Sequence, residues 1–257
     1  VADTLNNRIQ KFTSLGVFVS IWGTSKWEGP MGIVDTKFSN PRGVAVASDG
    51  SVYVADSVND RIQKLTSEGV FAGLWGTKGT GDGQFRAPAG VAVAPDGSVY
   101  VADTKNDRIQ KFTSLGVFVS KWGTSGTGDG KFNYPYGVAV ASDGSVYVAD
   151  KQNDRIQKFT SEGVFVTKWG TQGTGDGQLR LPARIAVASD GSVYVADSYN
   201  NRIQKFTSTG VFVIKWGTKG TGSGEFNNPN GVAVASDGSV YVADSYVHRV
   251  QKFSPGP

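Results

Sequence analysis

The chain has 257 residues, 39% of them hydrophobic and 35 of them glycine, with no cysteine and a formal net charge of +4. The missing cysteine excludes disulfides and thiolate metal sites, and the dispersed Lys and Arg lack the clustering of a dedicated nucleic-acid domain. No run reaches the roughly 18 apolar residues of a membrane helix, and the supply of Val, Ile, Phe, Tyr and Trp points to a many-turned all-β chain.

The chain opens at Val1 inside a strand pattern and without Met, so an upstream segment is expected to have been removed or left out. The triplet Val-Ala-Asp recurs at Val1, Val54, Val101, Val148, Val195 and Val242, at one interval of 53 residues and four of 47. A fixed period of roughly 20–50 residues marks a solenoid, propeller or array. No single repeat buries its own apolar face, so 1–257 reads as a single domain.

The first departure from the period is SKWEGPMGIVDTKF (25–38), which lengthens the first interval and holds Trp27, Met31 and Ile33. It reads either as an apolar anchor for a partner or as a plug that closes an imperfect ring. The first whole repeat follows. GVAVA (43–47) is a short strand of small residues, and Asp49-Gly50 signals a tight hairpin. SVYVAD (51–56) is a second strand, apolar on both faces and so covered on both. After the polar turn SVND (57–60) comes the strand RIQKL (61–65), the turn TSEG (66–69) and the strand GVFAGLW (69–75). The glycine-rich connection GTKGTGDGQFRAP (76–88) leads to the next repeat.

Four short antiparallel strands per period, with no 3.6-residue periodicity, define a β-sheet blade. Small residues in the first strand and aromatics in the fourth suit blades that radiate from an axis. Trp22, Trp75, Trp122, Trp169 and Trp216 end the outer strands and are expected to pack between blades. The Lys of each RIQK lays its stem on apolar surface with the amine in water.

This unit resembles the NHL repeat of β-propellers. The resemblance rests on the proline before the first strand, GVAV-x-SDGSVYVAD, the turn ending Asn-Asp-Arg or Asn-Asn-Arg, Ile-Gln-Lys-Phe, and the glycine-rich segment ending in Gln-Phe and Pro. It covers essentially the whole chain, and the Trp-Asp dipeptide of WD40 blades is missing. The resemblance implies an all-β propeller, usually six-bladed, that mostly serves as a binding platform for protein or RNA and in a minority of cases as a lyase. The strand count allows six blades with incomplete terminal blades, or a five-bladed closed ring with one RIQKF segment left over. Six is favoured.

Several constellations bear on chemistry. The pairs Asp3/Arg8, Asp56/Arg61, Asp103/Arg108, Asp150/Arg155, Asp197/Arg202 and Asp244/Arg249 bridge one tight turn in every repeat. Six copies point to structure, because an active site needs one asymmetric arrangement. Asp82, Asp129 and Asp176 lie in GTGDG loops, too few carboxylates per loop for a calcium cage. The resemblance implies that lyases of this kind need a histidine-rich metal site, for which one histidine, His248, is not enough.

The residues flanking each proline vary while the rest repeats. Arg42, Arg86, Tyr134, Tyr136, Arg180, Arg184 and Asn230, with Trp27 from the insert, are the candidate binding residues. The expected function is a non-catalytic binding or scaffold module, not an enzyme. It would need no cofactor or metal and would hold a protein, peptide or glycan on the face of the long inter-blade loops. Single-stranded RNA binding is the alternative, and a propeller lyase comes third. An extracellular or cell-surface prokaryotic setting is expected.

Overall fold

A computed structural model describes residues 1–23, 27–29, 32–34 and 36–254. The fold is an all-β propeller of six blade sheets, four of them four-stranded and the two terminal ones three-stranded. Among the described residues there is no α-helix, only single 3-10 turns such as Lys151–Asn153 and Ser198–Asn200.

The chain divides into two compact units, Val1–Lys121 and Trp122–Pro257. In the first unit, the opening sheet is Ala2–Asp3, Arg8–Phe12 and Phe18–Trp22. A two-stranded hairpin, Trp27–Gly29 with Gly32–Val34, follows from the insert. The second sheet is Pro41–Val46, Val52–Asp56, Arg61–Leu65 and Phe71–Trp75. The third runs from Val91–Val93 to Phe118–Trp122 at the unit boundary.

The second unit holds three more sheets. The fourth sheet is Pro135–Val140, Val146–Asp150, Arg155–Phe159 and Phe165–Trp169. The fifth is Ile185–Val187, Val193–Asp197, Arg202–Phe206 and Phe212–Trp216. The sixth ends on Pro229–Val234, Val240–Asp244 and Arg249–Phe253.

The VYVAD strand is buried along its length in four blades, as its two apolar faces require. Within each unit, successive blades seat on each other through aromatics. Trp75 meets Phe112 at 5.9 Å in the first unit, and Trp169 meets Phe206 at 5.9 Å in the second. The repeated lysines do more than reach water: Lys64 Nζ lies 5.2 Å from the Tyr53 ring centroid and Lys158 Nζ 5.2 Å from that of Tyr147.

Polar ties reinforce the stacking. The residue closing each 3-10 or equivalent turn has positive φ, as Asn and Asp tolerate best. At Asn7, Asp60, Asp154 and Asn201 its carboxylate or amide oxygen accepts a backbone N–H from the connection that opens the next blade. Ala87 N donates to Asp60 at 2.7 Å and Leu181 N to Asp154 at 2.7 Å, each across 27 residues. Asn40 N donates to Asn7 at 2.7 Å across 33 residues, because the insert lies between them.

Candidate functional site

The buried aspartates carry the densest polar network. Asp150 Oδ1 accepts the Asn133 N–H at 2.7 Å. Its Oδ2 accepts from Asn153 at 2.9 Å, Arg155 Nε at 2.7 Å and Gln157 at 3.1 Å. Arg155 continues to the carbonyls of Thr127, Gly128 and Lys131. The same set surrounds Asp103 in the first unit and Asp197 in the second. Burial, opposed by these donors, pushes the carboxyls of Asp103, Asp150 and Asp197 above the ordinary carboxylate range.

The network welds the connection to its blade. Each of these carboxylates is committed to several donors of its own blade and connection. Among the described residues no three His, Cys, Asp or Glu gather to hold a metal. The described residues therefore do not fit a metal centre.

The loop aspartates take a plainer role. Asp82 pairs with Lys121 at 2.5 Å in the first unit, and Asp129 with Lys168 at 2.5 Å in the second. These exposed pairs put charge on the fourth strand, which blunts an open sheet edge. His248 ends the 3-10 turn of the last blade at φ 55° and is exposed, at the place other blades give to Asn or Asp.

The candidate binding residues part company. In the first unit, Arg42 donates from Nε to Asn40 Oδ1 at 3.1 Å. The Arg86 side chain is exposed while its backbone N–H serves Asp103. Trp27 pairs with Val34 in the insert hairpin; its side chain, and Met31, lie outside the described residues. In the second unit, Asn230 is half-buried on the first strand of the last blade. Arg180 lies 4.4 Å over the ring of exposed Tyr199.

The structure brings together Tyr134, Tyr136 and Arg184. The Tyr134 and Tyr136 rings stack at 14° with centroids 6.4 Å apart. Arg184 donates from Nη1 to the Tyr136 carbonyl at 3.1 Å, and its guanidinium carbon lies 4.9 Å from the Tyr136 ring centroid. Lys151 Nζ sits over the same ring at 4.2 Å.

Lys151 escaped the sequence reading, although a signal existed. Its place holds Thr4, Ser57, Thr104, Ser198 and Ser245 in the other repeats. Two of those hydroxyls donate to the proline carbonyl of the following blade, Thr4 to Pro41 and Ser198 to Pro229. Arg184 likewise stands where the other repeats have Gly43, Gly90, Gly137 and Gly231. At Gly137 a Cβ would strike the Ala183 carbonyl oxygen, so glycine is required there by the close approach of the next blade. Three departures from the repeat therefore meet on one tyrosine ring.

The fold is shared with solved propellers. The chain aligns with a streptogramin B lyase structure at 19% identity, covering 84% of this chain and 70% of that one, with a TM-score of 0.59. A catalytically inactive variant of virginiamycin B lyase from Staphylococcus aureus, with a histidine replaced by alanine and with quinupristin, aligns at 18% identity. That alignment covers 84% and 71% of the two chains, with a TM-score of 0.58. A nidogen/laminin complex aligns at 15% identity, covering 90% and 84%, with a TM-score of 0.63. No curated protein sequence matches the chain.

A family profile, that of the virginiamycin B lyases, matches residues 31–256. This overturns the expectation of a non-catalytic scaffold and of no enzymatic role. The expectation rested on the single histidine being too few for a metal site and on the repeated Asp–Arg pairs being structural, and neither argument outweighs a family profile that spans residues 31–256. With nearly its whole length inside that match, the chain belongs to the virginiamycin B lyase family.

Proposed function

We propose that this protein is a lyase built on NHL-type blades, acting on a cyclic peptide of the streptogramin B kind at the Tyr136 cluster. The observation that carries the reading is the meeting of three repeat-breaking residues, Tyr136, Lys151 and Arg184, in a chain of a lyase family. A lyase breaks its bond by elimination: a base takes a proton from one carbon, the bond from the adjacent carbon to the leaving group breaks, a double bond forms between the two carbons, and the leaving group, on which negative charge develops, ends with a proton from solvent. Fixed cations aimed at that charge lower the barrier. Lys151 and Arg184 supply two, held in place by the Tyr136 ring and carbonyl.

Incubation with quinupristin, followed by chromatography and mass spectrometry, tests this. Elimination within a ring gives an open product of unchanged mass. No consumption, or a product heavier by one water, overturns the reading. His248→Asn installs a residue type found at the matching turn of other blades, and it is expected to leave turnover unchanged because His248 belongs to the turn of the last blade. A fall in turnover with an unshifted melting temperature would move the site to that turn.

A further inference from the structure

We propose that the outer edge of the last blade is an acceptor site for an extended peptide that carries Phe and Trp four positions apart, with an uncharged residue before the Trp. Among the described residues, Arg249–Phe253 pairs only with Val240–Asp244 and closes a three-stranded sheet. In the fifth blade the matching strand Arg202–Phe206 is covered by Phe212–Trp216, and in the fourth Arg155–Phe159 is covered by Phe165–Trp169. Without such a cover Val250 is 45% exposed, whereas Ile156 and Ile203 at the same place are 0% exposed. An uncovered edge presents backbone donors and acceptors with which an added strand can pair.

The covered blades define the occupant. Their fourth strand runs antiparallel to the third, with Trp169 opposite Ile156 and Phe165 opposite Phe159 in one blade, and Trp216 opposite Ile203 and Phe212 opposite Phe206 in the next. The same register recurs in the first unit, where Trp22 faces Ile9 and Trp75 faces Ile62. Carried onto the last blade, it sets the guest's Trp opposite Val250 and its Phe opposite Phe253. The receiving side is already built. Gln251 donates to the Glu225 carbonyl at 2.8 Å and accepts the Gly224 N–H at 2.9 Å, and Arg249 donates to the Thr221, Gly222 and Glu225 carbonyls. Phe253 packs on Trp216 with ring centroids 5.9 Å apart. Binding therefore has to order only the guest.

Charge selects the residue before the Trp. Where a fourth strand carries lysine there, that lysine pairs with an aspartate of the connection entering the same blade. Lys121 pairs with Asp82 in the first unit, and Lys168 with Asp129 and Lys215 with Asp176 in the second. The connection entering the last blade has Ser223 at this place. The nearby Glu225 carboxylate is turned to the Gly222 N–H, which it accepts at 2.8 Å. Phe18–Trp22 and Phe71–Trp75 show the uncharged form, with Ile21 and Leu74 before the Trp.

The probe is a fluorescein-labelled peptide with the sequence of residues 13–23, TSLGVFVSIWG, titrated with the full chain and followed by fluorescence anisotropy. It should bind at least about tenfold tighter than the same peptide with serine in place of both aromatics, and it should slow amide hydrogen exchange at residues 249–253. Val250→Asp should weaken it at least about tenfold. The peptide with lysine in place of its isoleucine should bind the wild type about two- to fivefold more weakly, and Ser223→Asp should close that gap. No binding, equal binding of the aromatic and serine peptides, exchange protection confined to other strands, or a gap that ignores Ser223→Asp overturns the proposal. Self-association of the free chain that the peptide reverses gives the edge to a second copy and overturns it as well. The exchange measurement reads the wild type alone, so it decides the matter even where Val250→Asp misfolds.

Discussion

Asp150 holds four donors on one buried carboxylate, and burial raises its pKa in spite of them. Asp150→Ala strands the Arg155 guanidinium, so unfolding by urea should show a loss of about 3–5 kcal/mol. A loss below about 1 kcal/mol would mean that the Thr127, Gly128 and Lys131 carbonyls hold Arg155 without help. The Asp–Arg pairing was legible in the sequence because two charges five residues apart across a tight turn have few other places to go. The companions Asn153 and Gln157 were not, since a polar side chain in a strand or turn gives no sign of which acceptor it will find. Lys151 was obscured for a different reason: in a turn, lysine reads as solvated charge unless the neighbouring repeats are laid beside it.

At the scale of the element, the hairpins at Gly69, Gly116, Gly163 and Gly210 each place a glycine on the preceding blade's tryptophan. A Cβ at Gly163 would sit 2.5 Å from Trp122 Cδ2, and its φ is +85°. Gly144 shares a left-handed φ of +81° but has nothing nearer than Ser161 Cβ at 3.8 Å. Gly144→Ala should therefore cost only the backbone term, about 1–2 kcal/mol. Gly163→Ala should cost roughly 1–3 kcal/mol more, from the overpacked ring. Equal losses in thermal or urea melts would show that the tryptophan moves aside freely. The sequence marks these tryptophans as inter-blade wedges by their place at the end of an apolar strand. It does not mark the glycine beneath them, because a turn glycine needs no partner to explain it.

For the whole molecule, two sets of aspartates respond to pH in opposite senses. Asp103, Asp150 and Asp197 have raised folded pKa values, chiefly through burial, so their contribution is fully present below the unfolded carboxylate pKa and is lost as pH rises through the folded one. The hairpin residues Asp49, Asp96, Asp143, Asp190 and Asp237 have lowered values, chiefly through the backbone N–H two residues on, at Ser51, Ser98, Ser145, Ser192 and Ser239. Their contribution is present above the unfolded pKa and lost as pH falls through the folded one. The stability gap between the wild type and a variant with all five changed to Asn should narrow between about pH 6 and about pH 3. A gap that ignores pH would assign no role to these hydrogen bonds. The blades themselves were legible because the period of 47 residues exceeds any local ambiguity in a single strand. The catalytic family was not, since repetition describes the scaffold and only a handful of residues depart from it.

The tie between a turn residue and the next connection carries one more consequence. It closes at 2.7 Å whether 27 residues separate its ends, as for Asp60 and Ala87, or 33, as for Asn7 and Asn40. The anchors are indifferent to what is looped out between them, since lengthening such a loop adds only a few tenths of a kcal/mol of closure entropy. Each glycine-rich connection is thus a graft port, into which foreign peptide can be spliced while the sheets on either side keep their register. The hairpin at Trp27–Val34 is a natural instance of such a payload.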